Sequence, residues 1–138
     1  MSTPFQISRR VEFGDTDMAG IMHFSNFFRF MEVAETAFLR SRGLSVCWLD
    51  QGHRVGFPRV SATCDYLKPA LFEEMIDLSV TLEKVGRKSI TYRFDFSRAG
   101  EAIAVGHISA VYCRTTPGHG IESLEIPLDL RAKLEAAE

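Results

Sequence analysis

A chain of 138 residues with 46% hydrophobic and 25% charged side chains has the make-up of one soluble globular domain, neither disordered nor membrane-embedded. Its formal net charge of -2, with no polybasic run, excludes a general nucleic-acid binder. The three cysteines Cys47, Cys64 and Cys113 are widely spaced and form no C-x-x-C pair, so neither a disulfide framework nor a zinc site is signalled and buried free thiols are expected.

The N-terminal "MSTPFQISRRVEF" has no apolar leader, and no apolar run approaches the length of a membrane span, which sets the expectation of a cytoplasmic protein without a membrane partner. After a first strand comes the loop "FGDTDMAGIMHFSNF", Phe13 to Phe27, with two aspartates, Asp15 and Asp17, among small turn residues. One long segment has helical period: from Ser25 to Arg42, Phe27, Phe28, Met31, Ala34, Phe38 and Leu39 recur at intervals of three and four, and Phe30, Val33 and Ala37 widen the stripe. Ser25 or Asn26 is placed to cap its start, and Gly43 to end it in a left-handed turn. Three stretches then alternate with period two. Val60, Ala62, Cys64 and Tyr66 oppose Arg59, Ser61, Thr63 and Asp65 in a half-buried strand. Ile76 to Glu83 and Ile90 to Phe96 follow, joined by the hairpin tip "KVGRKS". The run Glu101 to Thr116 predicts one long central strand, and Ile126 to Glu138 a short second helix. Helix and sheet each need somewhere to place an apolar face, so the pattern predicts an α+β fold: a single domain over residues 1–138, one antiparallel sheet wrapped around one buried helix.

A bare D-x-D before a helix is most simply a turn former or a solvated charge. The extended stretch "VEFGDTDMAGIMHFSNFFRFMEVAE", Val11 to Glu35, changes this, because it resembles the signature of the 4-hydroxybenzoyl-CoA thioesterase family of the hotdog-fold superfamily. The resemblance continues more loosely through "VGFPRV" at Val55 to Val60 and the "GRKS" hairpin, covering about Val11 to Thr116. It implies a hotdog domain, a five-stranded antiparallel sheet around a long central helix, with acyl-CoA bound where two chains meet in a homodimer or homotetramer.

What the resemblance implies about function is an acyl-CoA thioesterase, hydrolysing a thioester to a carboxylic acid and coenzyme A with neither metal nor cofactor. The catalytic carboxylate falls on Asp17, as nucleophile or as general base, and either role requires the ionised form. The oxyanion donor falls on the backbone N–H of Phe24, near the helix N-terminus. Glu32 stands at an acidic helix position, divided between a catalytic and a helix-face or interface role; Asn26 is divided between cap and substrate contact. His23, where an aromatic residue is usual, is expected to line the pocket. Arg87, Lys88 and Ser89 match phosphate-contacting positions for the anionic end of coenzyme A, with Arg59 a second candidate. The acyl group is left open between aromatic and aliphatic, set by how Phe27, Trp48, Phe57 and residues of a neighbouring chain pack. Two other readings stand beside the enzyme: a non-catalytic acyl-CoA-binding module on the same fold, and a dehydratase, which would need a helix histidine that the stretch after Phe24 lacks.

Overall fold

A computed structural model describes residues 4–136; the ends of the expected 1–138 domain, and the last two residues of the expected second helix, lie outside the described residues. The alternating stretches form long strands: β1 (Phe5–Arg10), β4 (Arg59–Tyr66), β5 (Met75–Val85), β6 (Ser89–Arg98) and β7 (Glu101–Val111) make one antiparallel sheet in the order β1-β5-β6-β7-β4. The short strands β2 (Cys47–Asp50), β3 (His53–Gly56), β8 (Cys113–Thr116) and β9 (Gly120–Ser123) make a second, four-stranded sheet that the sequence reading did not anticipate. The single long strand expected to run to Thr116 is instead broken at Tyr112, whose N–H still donates to the Lys88 carbonyl beside β6 at 2.8 Å while its carbonyl accepts the Leu124 N–H at 2.9 Å. That break turns the chain from one sheet into the other.

Helix α1 (Asn26–Ser41) lies across the five-stranded sheet and buries Phe27, Phe30, Met31, Ala34, Glu35, Phe38 and Leu39 against it. Facing it from β6 are Ile90, Tyr92, Phe94 and Phe96, and from β5 Ile76, Leu78 and Val80, all buried as the alternation predicts. Each fully buried aromatic or aliphatic side chain here contributes about 1.5–3 kcal/mol relative to exposure. Gly106 of β7 leaves room for the helix: a Cβ there would stand 2.2 Å from the Met31 sulfur. Gly43 ends the helix with φ +71°, the Leu44 N–H donating to Leu39 O at 2.8 Å and the Gly43 N–H to Arg40 O at 3.0 Å. The capping expectation at the other end is corrected. Neither Ser25 nor Asn26 caps the helix with its side chain, because the Asn26 amide donates to the Asp15 carbonyl at 2.8 Å and Ser25 Oγ is paired with His23 Nδ1 at 2.8 Å. Helix α2 (Leu128–Glu135) begins two residues later than expected and inserts Leu130 and Leu134 into the core.

Strand β4 departs most from its sequence reading. It is an edge strand, exposed on both faces apart from a half-buried Cys64, with Val60 64% and Tyr66 44% exposed. A bulge between Arg59 and Ser61 shifts its register, so that Arg59 pairs with Ala110 while Ala62, Cys64 and Tyr66 pair with Ile108, Gly106 and Ala104. Directly opposed residues point to the same side of a sheet. Arg59 therefore joins Tyr66 on the helix side, where strict alternation had put it on the outer face.

Candidate active site

The aspartate loop is built as a closed set of turns. Phe13–Asp15 is a short 3-10 turn in which Asp15 Oδ2 accepts the Glu12 N–H at 2.9 Å. The next turn is held by Asp17, whose Oδ1 accepts the Ala19 N–H at 2.8 Å, whose carbonyl accepts the Gly20 N–H at 3.0 Å, and whose N–H donates to Ile21 O at 2.9 Å. Gly20 takes φ +82°, a left-handed conformation that a side chain would strain. Beyond it, Ile21 bridges to Leu71 and the Met22 N–H donates to Ala70 O at 2.7 Å, tying the loop to the segment after β4. The Asp15 carbonyl receives both the His23 N–H and the Asn26 amide at 2.8 Å, so Asp15 braces the loop to the helix start.

Between this loop and the end of β4 lies a cleft of about 450 Å³, lined by Asp17, Ile21, Met22, Phe24, Phe27, Tyr66, Leu67, Lys68 and Pro69. Asp17 is half-buried in its wall. The rest of the wall is apolar or aromatic: Tyr66 meets Phe27 edge-on at 4.9 Å between ring centroids, and its hydroxyl donates to the Phe24 carbonyl at 2.9 Å. The Phe24 N–H has no acceptor among the described residues. An unpaired N–H at a helix start, in the same wall as a carboxylate, supplies the two groups that acyl chemistry asks for: a nucleophile or base, and a donor for developing negative charge.

The other expected site residues are placed as follows. His23 stacks on Phe24 at 4.6 Å between centroids, with Nδ1 engaged by Ser25, and is not among the residues lining the cleft. Asn26 braces the loop from beneath, and Glu32 lies exposed on α1. Arg87, Lys88 and Ser89 occupy the β5–β6 hairpin at the opposite end of the sheet: Ser89 pairs with Val111 of β7, whereas Tyr66 at the cleft pairs with Ala104. The tip is anchored rather than free. Arg87 stands 3.4 Å from Glu125, the Gly86 N–H donates to Ser89 O at 2.7 Å, and Arg131 of α2 donates to Gly86 O at 2.7 Å. Trp48 and Phe57 cluster with Tyr112, at the far end from Asp17, and within one chain they do not line the cleft.

Three residues of consequence escaped the sequence reading. Alternation points Tyr66 to the core and nothing in the sequence singles out Lys68, yet both line the cleft. Lys68 is paired with Glu101 at 2.6 Å. The third is Glu35, fully buried on α1. Its Oε1 accepts from Arg59 Nε at 2.9 Å and again from Arg59 Nη2, while Oε2 has no partner among the described residues. Burial pushes this carboxyl up from its ordinary range, against the hydrogen bond and charge of Arg59. Its signal was in plain view: a glutamate one residue after Ala34 and three before Phe38, inside the apolar stripe.

Residues 11–134 match the thioesterase-like superfamily. The chain belongs to that family. It is 35% identical to a protein of Aquifex aeolicus over 83% of this chain and 88% of that one. It is 26% identical to the 4-hydroxybenzoyl-CoA thioesterase of Pseudomonas sp. strain CBS-3, over 94% of this chain and 96% of the relative. Among solved structures, a gentisyl-coenzyme A thioesterase superposes with a TM-score of 0.78 at 27% identity, covering 94% of this chain and 99% of that one. Family membership agrees with the resemblance drawn from Val11 to Glu35. No helix among the described residues is long and apolar enough to cross a membrane.

Proposed function

We propose that the chain hydrolyses an aromatic acyl-CoA thioester in the Asp17 cleft, releasing the carboxylic acid and coenzyme A. Its class, thioester hydrolase, follows from the family and from relatives named as CoA thioesterases. The observation that carries the finer reading is the meeting, in the wall of one apolar cleft, of the half-buried Asp17 carboxylate with Phe24, whose N–H lacks a partner among the described residues. The thioester oxygen is placed at that N–H, which strengthens its hydrogen bond as charge develops on the oxygen. Asp17 then either attacks the carbonyl carbon, expelling the coenzyme A thiolate and leaving an anhydride that water opens, or takes the proton from a water that attacks directly. The rings of Phe24, Phe27 and Tyr66 favour a flat acyl group.

One chain holds the cleft and the basic hairpin at opposite ends of its sheet, so the anionic end of coenzyme A calls for a second copy. The open edge of β4 supports a homodimer, and the tip residues Arg87 and Lys88 then serve the partner's cleft. The test is a hydrolysis panel of benzoyl-type, phenylacetyl-type, short and long acyl-CoAs with detection of the free thiol. Turnover of an aromatic acyl-CoA that Asp17→Asn abolishes supports the reading. Binding of acyl-CoA without turnover by the wild type replaces it with the binding module.

A further inference from the structure

Arg59 is only partly accounted for by its ion pair. Nε and Nη2 both go to Glu35 Oε1, yet 33% of the side chain is exposed and Nη1 has no partner among the described residues. The guanidinium is thus fixed by a buried carboxylate, on the helix side of an edge strand, with a donor left over. It cannot serve its own cleft, because Tyr66 lies seven residues further along β4, about 20 Å away.

We propose that Arg59 completes the active site of the neighbouring protomer: two copies pair antiparallel along β4, and each lays its Glu35-held guanidinium against the partner's Tyr66. The inference rests on the reading of the Asp17 cleft as the site of hydrolysis. Pairing centred on Thr63 sets Thr63 against its own copy, Ala62 against Cys64 and Ser61 against Asp65. This register keeps the helix-side residues of both copies together along the whole strand; a one-residue slip would set the helix side of one against the outer side of the other. The strand's two charged residues, Arg59 and Asp65, then meet Tyr66 and Ser61, so no like charges oppose each other. The bulge decides the outcome. Without it Arg59 would emerge on the outer face; with it, Arg59 arrives on the side where Tyr66 leans on Phe27 and holds the Phe24 carbonyl.

Stacked within about 6 Å of the ring, a guanidinium attracts its face, and Tyr66 in turn orients the Phe24 segment that carries the oxyanion donor. Arg59 is in this sense a positioning residue acting across the interface. Its loss lowers kcat more than it raises KM.

The experiment uses two parents, Asp17→Asn and the double variant Glu35→Gln with Arg59→Met, which removes both charges and leaves no buried carboxylate unpaired. The double variant alone is expected to lose about tenfold in kcat. The parents are co-expressed with different tags, and the mixed dimer is isolated. If Arg59 acts across the interface, one of the two sites has every residue intact, and the mixed dimer runs at about half the wild-type rate. If Arg59 acts within its own chain, no site is intact and the rate stays near a twentieth, which overturns the proposal. A wild type inactive on every acyl-CoA would instead sink the reading beneath it, with which the inference falls. Independently of activity, Thr63→Cys on the dyad should form a covalent dimer under oxidation, since directly opposed Cα atoms lie within disulfide reach. The wild type, with its own three thiols, is the control. Absence of that cross-link above the control overturns the register.

Discussion

Replacing each aspartate of the D-T-D stretch by asparagine isolates chemistry from architecture, because the two side chains make equivalent local bonds. Asp17 Oδ1 accepts the Ala19 N–H at 2.8 Å, and Asp15 Oδ2 accepts the Glu12 N–H at 2.9 Å. An asparagine keeps one acceptor oxygen in either place, so each substitution exchanges a charge-assisted hydrogen bond for a neutral one, costing about 1 kcal/mol of stability. The heavier structural work of Asp15, receiving the His23 N–H and the Asn26 amide, is done by its backbone carbonyl and survives. Thermal unfolding of the two variants should therefore be nearly the same. Activity should not be. Asp17→Asn removes the proposed nucleophile or base and should lower kcat at least about 100-fold, equivalent to about 2.7 kcal/mol of transition-state stabilisation. Asp15→Asn should cost less than about threefold on that scale. Thiol release from an aromatic acyl-CoA, beside a melting curve for each protein, measures both quantities. Equal and modest losses of activity in the two variants would refute the assignment and make the aspartates a pair of turn formers.

Tyr66→Phe deletes a single 2.9 Å bond to the Phe24 carbonyl; about 0.5–1.5 kcal/mol of lost positioning predicts a two- to tenfold drop in kcat, read by steady-state kinetics, with KM little changed. Arg87→Ala with Lys88→Ala should raise KM for an acyl-CoA while sparing the matching acyl-pantetheine, which lacks the nucleotide and its phosphates; equal losses on both would remove the hairpin from the binding site. Cysteine labelling should be ordered. Burial pushes the Cys64 thiol up to about 11, leaving about one thiolate in a thousand at pH 8, so iodoacetamide followed by peptide mass spectrometry should find the exposed Cys47 modified first and Cys64 rising only as the pH approaches that value.

The sheet's interior was legible because alternation there obeys a single rule: every helix-side residue of β6 from Ile90 to Phe96 is buried as predicted. Gly43 at the end of α1 was legible for a similar reason, since only local backbone chemistry decides it. At the start of β4 the side of Arg59 was not legible, because one extra residue between Arg59 and Ser61 reverses the phase there, and a bulge leaves no mark in hydrophobic pattern. The short strands β2, β3, β8 and β9 went unseen, at four residues each too brief for periodicity to register. At the site, Asp17 and Phe24 came from the family resemblance, which physical reasoning on a D-x-D alone could not replace. Tyr66, the last residue of an edge strand, and Lys68, just after it, reach the cleft by tertiary placement that has no local signature.

With coenzyme A held at the β5–β6 hairpin as proposed, the clamp of Arg131 gives helix α2 an influence on affinity that its distance from the cleft conceals. Its guanidinium donates to Gly86 O and fastens the base of the loop whose outer residues are Arg87 and Lys88. A loop already ordered before its ligand arrives surrenders less chain entropy on engaging a phosphate, so part of any affinity measured at the tip is underwritten by α2. Variation in α2 should then tune how long coenzyme A stays bound while leaving the bond-breaking step untouched, letting residence time and chemistry drift independently within one chain.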